Sequence, residues 1–336
     1  MSTESRFQPQ LGSAIARFEL GEKDVEAIGA LADRIIQESP DAPLEERLKR
    51  VTLLAHELPE SIREALVDFR LTNEPLGGFV VAGLPINELE LGATPPGLRT
   101  EAQDKELRRA DAMLYLIASL LGDPFSHNEI QEGRLILDVC PARGNEDTQL
   151  ASSSSGGLAW HIEDAFYDFR ADWLLLMCLR NTPKAATTFA RVQDVVLSED
   201  VSATLFENKF IIEPDSSHVA GDQAPAPRQV AVLSGDRRAP FVRIDPEFMP
   251  RDLEDPVAEN ALTTVIEALE AKLQDVVLEP GQVLIIDNYR AVHGRRPFDP
   301  SYDGKDRWLR VLNVTADLRK SEGLRTGSHG RALSTL

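Results

Sequence analysis

Apolar and polar positions change rhythm about a third of the way along the chain. Up to residue 122, apolar residues recur at helical spacing and predict helices over 23–38, 43–55, 58–70 and 103–121. The last of these aligns Leu107, Ala110, Leu114, Ile117 and Leu121 on one stripe, and Gly122-Asp123-Pro124 stops it. Among these helices FVVAGLPI (79–86), a short apolar run bounded by Gly and Pro, predicts a strand. From about residue 130 the texture becomes short β-rich runs: RLILDVC, GLAWHIEDAF, DWLLLMCLR, APFVRIDP, QVLIIDNY and RWLRVLNV, parted by polar loops. That pattern predicts an all-β core. One amphipathic helix interrupts it over 255–276, with Leu262, Val265, Ile266, Leu269 and Leu273 on its apolar face. Two polar segments, TQLASSSSGG (148–157) and EPDSSHVAGDQAPAPRQ (213–229), read as mobile loops.

Composition narrows the function. With 336 residues and 42% apolar content, the chain can bury a large core. A formal charge of −19 opposes binding to nucleic acid or to an anionic membrane, because both need clustered cations. A small-molecule partner fits better. Cys140 and Cys178 lie in apolar stretches behind no secretory signal, so a cytoplasmic protein with reduced, buried thiols is expected. No apolar window approaches the length of a membrane span.

Candidate chemistry centres on LAWHIEDAF, residues 158–166. Side chains two apart on a strand share a face, so His161 and Glu163 would offer an imidazole nitrogen and a carboxylate oxygen to one point. Composition alone makes about one chance His-x-acid triplet expected, and the chain has a second, His127-Asn128-Glu129, which serves as a control. His127 follows the turn signal GDPFS and reads as structural in a solvated connection. His161 gains from a third candidate, His293, which lies 132 residues further on, closes an apolar strand and precedes Gly294. Two imidazoles and one carboxylate on one side of an ion leave its other positions open, as in a non-haem Fe(II) oxygenase rather than a closed structural zinc site. Arg307, opening the strand RWLRVLNV, is placed to grip a carboxylate. His56, His218 and His329, on a helix, in a loop and in a polar tail, read as ordinary polar residues.

With these residues in view, the sequence resembles the clavaminate synthase-like branch of the Fe(II)/2-oxoglutarate dioxygenases, which includes arginine and asparagine β-hydroxylases of peptide-antibiotic pathways. The similarity is carried by WHIEDAFYDFRADWLLLMCLRN, by AATT (185–188), by VRIDPEFM (242–249) and by VHGRRPFDPSYDGKDRWLRVLNVTADLR (292–319). It implies an α+β fold with a double-stranded β-helix, or jelly-roll, core. The expected layout is a single domain: a mainly helical part over 1–122, a core over 123–319 with a lid at 213–229, and a polar tail over 320–336. It implies Fe(II) on His161, Glu163 and His293, 2-oxoglutarate on Arg307 and Thr188, and dioxygen as the oxidising co-substrate.

The same resemblance implies an amino-acid substrate. Asp215 and Ser217 in the lid, with Asp245 and Glu247 in RIDPEF, match the acidic and hydroxyl groups that surround an arginine side chain in relatives. Gln131 and the second oxygen of Glu163 match the contacts to an α-amino group. One position departs: where such hydroxylases carry a second Arg for the substrate carboxylate, this chain has Val311. Arg310 is adjacent but on the opposite face of a regular strand. Three explanations stay open: a bulge turns Arg310 inward, another group anchors the carboxylate, or the substrate has no free carboxylate, as in an amide or an amino acid on a carrier protein. The expected reaction is hydroxylation or desaturation of an amino acid with a basic side chain. A silent small-molecule-binding barrel and a zinc hydrolase are the competing classes.

Overall fold

The computed structural model describes residues 7–9, 15–38, 42–75, 77–97, 108–214, 225–251, 253–325 and 330–334. In chain order the strands are β1 (Phe7–Pro9), β2 (Ala16–Glu19), β3 (Gly78–Ala82), β4 (Asp123–His127), β5 (Ile136–Val139), β6 (Leu158–His161), β7 (Trp173–Arg180) and β8 (Thr187–Arg191). They continue with β9 (Phe210–Ile212), β10 (Arg228–Val230), β11 (Leu233–Asp236), β12 (Ala239–Val242), β13 (Gln274–Val276), β14 (Val283–Asp287), β15 (Ala291–Arg295), β16 (Trp308–Thr315) and β17 (Ala332–Leu333). The helices are α1 (Glu22–Glu38), α2 (Leu44–Ala55), α3 (Glu60–Thr72), α4 (Glu88–Leu91), α5 (Arg108–Ala118), α6 (Glu199–Leu205) and α7 (Pro256–Glu270). No described helix is long and apolar enough to cross a membrane.

Two sheets face each other, and the alternation of side chains shows why. The large sheet runs β1-β2-β3-β14-β7-β16-β4-β17, with β5 added beside β16; the small one runs β13-β8-β15-β6. Along β7, Leu174, Leu176 and Cys178 point to the small sheet and pack with Phe189, Val276 and Ala291. The intervening Trp173, Leu175, Met177 and Leu179 pack under α1, α2, α3 and α5. A strand covered on both faces needs an unbroken apolar run, which is what DWLLLMCLR supplies. The outer face of the small sheet, including Trp160, Ala190 and Val292, is covered by α7 through Leu262, Val265 and Leu269. Asp255 caps α7 by accepting from the Val257 and Ala258 N–H groups, ahead of Pro256 at the first helical turn.

Three details depart from the sequence reading. The strand expected at 79–86 is present as β3, but the sequence reading does not foresee β2, which extends the large sheet by pairing with β3 beside β14. His127 does not sit in a solvated connection: it ends β4, is 2% exposed, and pairs with Leu333 of β17. The polar segment after 319 is tied down as well, since Arg331 pairs with both Glu45 and Asp123. Residues 103–107 of the expected fourth helix lie outside the described residues. Cys140 and Cys178 are buried thiols that form no disulfide with each other, and burial pushes the Cys178 thiol up to about 12.

Candidate active site

His161 ends β6 and His293 lies in the middle of β15, where the antiparallel register sets the two directly opposite. Their ring centroids are 4.7 Å apart. Glu163 has left the strand, so the pleat does not aim it. Instead its N–H donates to Asn288 Oδ1 at 2.8 Å, and Asn288 Nδ2 donates to the Glu163 carbonyl at 3.0 Å. Asn288 is fully buried and also donates to the Ala171 carbonyl, so it clamps the Glu163 peptide to the barrel wall. Glu163 Oε2 then stands 3.5 Å from both His161 Nε2 and His293 Nε2. The three donor atoms lie within 4.8 Å of one another, the one such group among the described residues.

These residues fit a divalent ion. A spacing of 3.5 Å is long for a hydrogen bond but suits ligands that share a metal at about 2.1 Å from each nitrogen. The His161 Nδ1–H donates to the Ala159 carbonyl at 2.8 Å, which makes Nε2 the ring nitrogen that faces Glu163. Burial disfavours charge on His161, but Glu163, Asp245 and the Ala159 carbonyl outweigh it and raise its pKa to about 9. Burial pushes Glu163 upward too, yet the two imidazoles hold it down at about 2. His293 is lowered by burial and by its charged neighbour. His127, the control, is bound elsewhere: its Nε2 lies 3.0 Å from Asp164 Oδ2 and its ring packs on Tyr167.

Arg307, one residue ahead of β16, supplies a basic end to the cavity. Arg307 Nη2 donates to Thr187 Oγ1 at 3.1 Å. Thr188, expected to bind co-substrate, is turned away: strand parity puts it with Ala190 on the outer face, where its Oγ1 would lie 2.9 Å from any Cβ at Gly294. Thr187 faces the cavity in its place. Gly294 itself has no room for a side chain, because a Cβ would meet the Leu158 carbonyl at 2.7 Å. A second guanidinium, Arg295, lines the cavity beside Thr187. Sequence reading missed it, although His293 and Arg295 lie two apart on β15 and so share a face.

Around these groups lies a cavity of about 610 Å³. Asp245 and Glu247 both line it, and the Glu247 N–H donates to Asp245 Oδ1 in a turn. That turn is stitched to the backbone between His161 and Glu163 by Ile162 N–H to the Ile244 carbonyl, and to Glu213 by the Glu213 N–H to the Phe248 carbonyl. Glu213 therefore joins the acidic wall, a residue the sequence reading passed over. Asp215 and Ser217 lie outside the described residues. Gln131 lines the cavity, but its amide already bridges the Asp138 peptide, donating to the carbonyl at 2.8 Å and accepting from the N–H at 3.0 Å. Val311 faces inward between Leu137 and Leu176 in the register of β5, β16 and β7. Arg310 is on the opposite face, 1% exposed, and paired with Asp111 and Asp138, so no bulge brings it in.

Comparison with known proteins agrees with this geometry. The family described as "Taurine catabolism dioxygenase TauD, TfdA family" matches residues 213–313. The enduracididine beta-hydroxylase of Streptomyces hygroscopicus is 39% identical over 94% of this chain and 98% of its own length. The L-ornithine/L-arginine 3-hydroxylase of Catenulispora acidiphila is 35% identical over 94% of this chain and 99% of its own. The non-heme iron oxygenase OrfP, solved in complex with Fe and alpha-ketoglutaric acid, superposes with a TM-score of 0.86 at 34% identity, covering 95% of this chain and 100% of that one. Its complex with Fe, succinate and (3S)-hydroxy-L-Arg gives 0.88 at 32% identity, over 95% and 99% of the two chains. The chain belongs to the clavaminate synthase-like family of Fe(II)/2-oxoglutarate-dependent dioxygenases and is an enzyme of that class, using Fe(II), 2-oxoglutarate and dioxygen.

Proposed function

We propose that this enzyme hydroxylates an unactivated carbon of an amino acid whose side chain is basic and arginine-like, in specialised metabolism. His161, Glu163 and His293 hold the iron, and Arg307 with Thr187 takes the distal carboxylate of 2-oxoglutarate. The two facing sheets form the two halves of a jelly-roll around that site. Bound there, Fe(II) with 2-oxoglutarate and dioxygen supplies an oxidant that breaks C–H bonds, while 2-oxoglutarate leaves as succinate and carbon dioxide. The chain's own residues do the aiming. Glu163, clamped by Asn288, keeps one side of the metal filled and the other open, and the apolar residues Leu174, Leu176 and Leu309 keep water out.

The acidic wall carries the choice of substrate. Glu213, Asp245 and Glu247 line the cavity together with the His161–Glu163–His293 group, whereas the only guanidinium or ammonium groups among the described lining residues are Arg295 and Arg307. Converging carboxylates repel unless a cation lies between them, so a guanidinium or ammonium side chain fits. The relatives named for enduracididine, ornithine and arginine support the same class. Gln131 retains one amide N–H and one lone pair for the substrate's amino group, with Glu163 assisting. A mass-spectrometric screen of free amino acids with Fe(II) and 2-oxoglutarate tests the reading. An oxygen-added arginine-like product is expected; a product formed only from acidic or apolar amino acids overturns it, and loss of two hydrogens would mark desaturation.

One observation favours a second reading. The row Leu137–Val311–Leu176 is apolar throughout, so a free carboxylate packed on it would stay unpaired. An amide-linked or carrier-bound amino acid would place no charge there.

A further inference from the structure

Arg295 lies directly across from Thr187 in the β15–β8 register, and Thr187 Oγ1 in turn accepts from Arg307 at 3.1 Å. Arg307 thus bonds the hydroxyl of the residue across from Arg295, and the two arginines are near enough that, after burial, the charge of Arg307 lowers the pKa of Arg295. Each is 5% exposed, each has an Nε with no hydrogen-bond partner, and no carboxylate among the described residues faces either. Buried like charges without a counter-ion are unfavourable, so the pair is complete only with an anion between them.

Arg295 is also held in place. Its Nη2 donates to Ser153 Oγ at 2.8 Å, Nη1 reaches the Ala151 carbonyl at 3.4 Å, and the guanidinium lies 5.2 Å over the Phe298 ring. Ser153 is fully buried and donates its own proton to the Gly157 carbonyl at 3.2 Å, so its oxygen is oriented to accept. Three of the five guanidinium N–H groups remain for a ligand. The segment TQLASSSSGG is therefore a support for this side chain.

We propose that Arg295 is a second cationic ligand of the co-substrate, sharing the distal carboxylate of 2-oxoglutarate with Arg307, and that Ser153 is its positioning residue. The inference rests on assigning that carboxylate to Arg307. Air-free calorimetry on the Fe(II)-loaded protein, titrated with 2-oxoglutarate and with 2-oxopentanoate, tests it; the second ligand has the same 2-oxo acid end and no distal carboxylate. Arg295→Gln should weaken 2-oxoglutarate about tenfold or more and leave both 2-oxopentanoate and Fe(II) binding unchanged. Ser153→Ala should weaken 2-oxoglutarate less, and Arg295→Lys should restore part of the loss. Unchanged 2-oxoglutarate affinity, or an equal loss for both ligands, overturns the proposal. If Arg295→Gln does not fold, unchanged 2-oxoglutarate affinity in Ser153→Ala overturns it alone. A loss in Arg307→Gln with none in Arg295→Gln would sink this inference and spare the Arg307 assignment.

Discussion

His161 and His293 are register partners across β6 and β15, so two imidazoles far apart in sequence are as rigidly related as neighbours on one strand. Neither ring depends on a loop for its position. Replacing His161 by Ala should abolish both iron retention and substrate-stimulated succinate release, while the fold survives because the side chain is 18% exposed and touches the cavity. Metal analysis and a succinate assay on the purified variant check this; normal turnover would remove the iron assignment.

Glu163 is the ligand that needs help, because it lies past the strand end. Asn288 contributes an acceptor and two donors to the Glu163 and Ala171 peptides, and Ala in its place would leave those buried groups unpaired. Asn288→Ala should lower metal affinity by about 10–100-fold, the usual cost of losing a group that orients a ligand. Competition with a chelator reads that directly. A variant with wild-type metal affinity would show that Glu163 is positioned without it.

Much of this site was legible before any coordinates, and the exceptions share a cause. His161, Glu163, His293 and Arg307 are distinctive residue types at the ends of apolar runs, so strand patterning made them candidates and the family resemblance gave them roles. Strand alternation predicts the aim of Glu163, but the strand ends at His161, and a side chain 125 residues away holds the Glu163 peptide. The resemblance points to Thr188, but a one-residue shift of register exchanges the two faces, and it is Thr187 that lines the cavity. His127 looked solvated because β4 and its partner β17 are short, and a parallel pairing between residues 126–127 and 332–333 leaves no local signal. Arg295 was hidden in plain parity, overlooked because HGRRPF reads as a strand end.

Val311 offers a direct test of how the acyl end of the substrate is received. In the wild-type enzyme, argininamide should be bound at least as well as free arginine, because nothing on the Leu137–Val311–Leu176 row pairs with a carboxylate. Val311→Arg adds a cation there and should shift the preference toward the free acid by about tenfold, the worth of one charge-assisted contact. Its thermal stability without ligand should fall, since the new charge is buried. The ratio of kcat/KM values for the two substrates is the measurement. An unchanged ratio would mean that the carboxylate lies away from this row.

Asp287 makes stability depend on pH. Burial raises its pKa to about 6, against the Tyr289 N–H and Arg290, which lower it. An unfolded Asp titrates near 3.9, so between about pH 4 and pH 6 the folded protein keeps a proton that the unfolded chain has lost. Stability from this group is therefore full below the unfolded value, falls as pH rises through that window, and stays lower above it. A shift of about two units corresponds to at most about 3 kcal/mol. Asp287→Asn keeps an oxygen for the Tyr289 N–H, now at 2.9 Å, and removes the charge. Urea unfolding of the metal-free proteins should show the variant more stable by about 1–3 kcal/mol at pH 7, with the difference shrinking toward pH 4. Parallel curves for the two proteins across that range would show that Asp287 is ionised in the folded state at no cost.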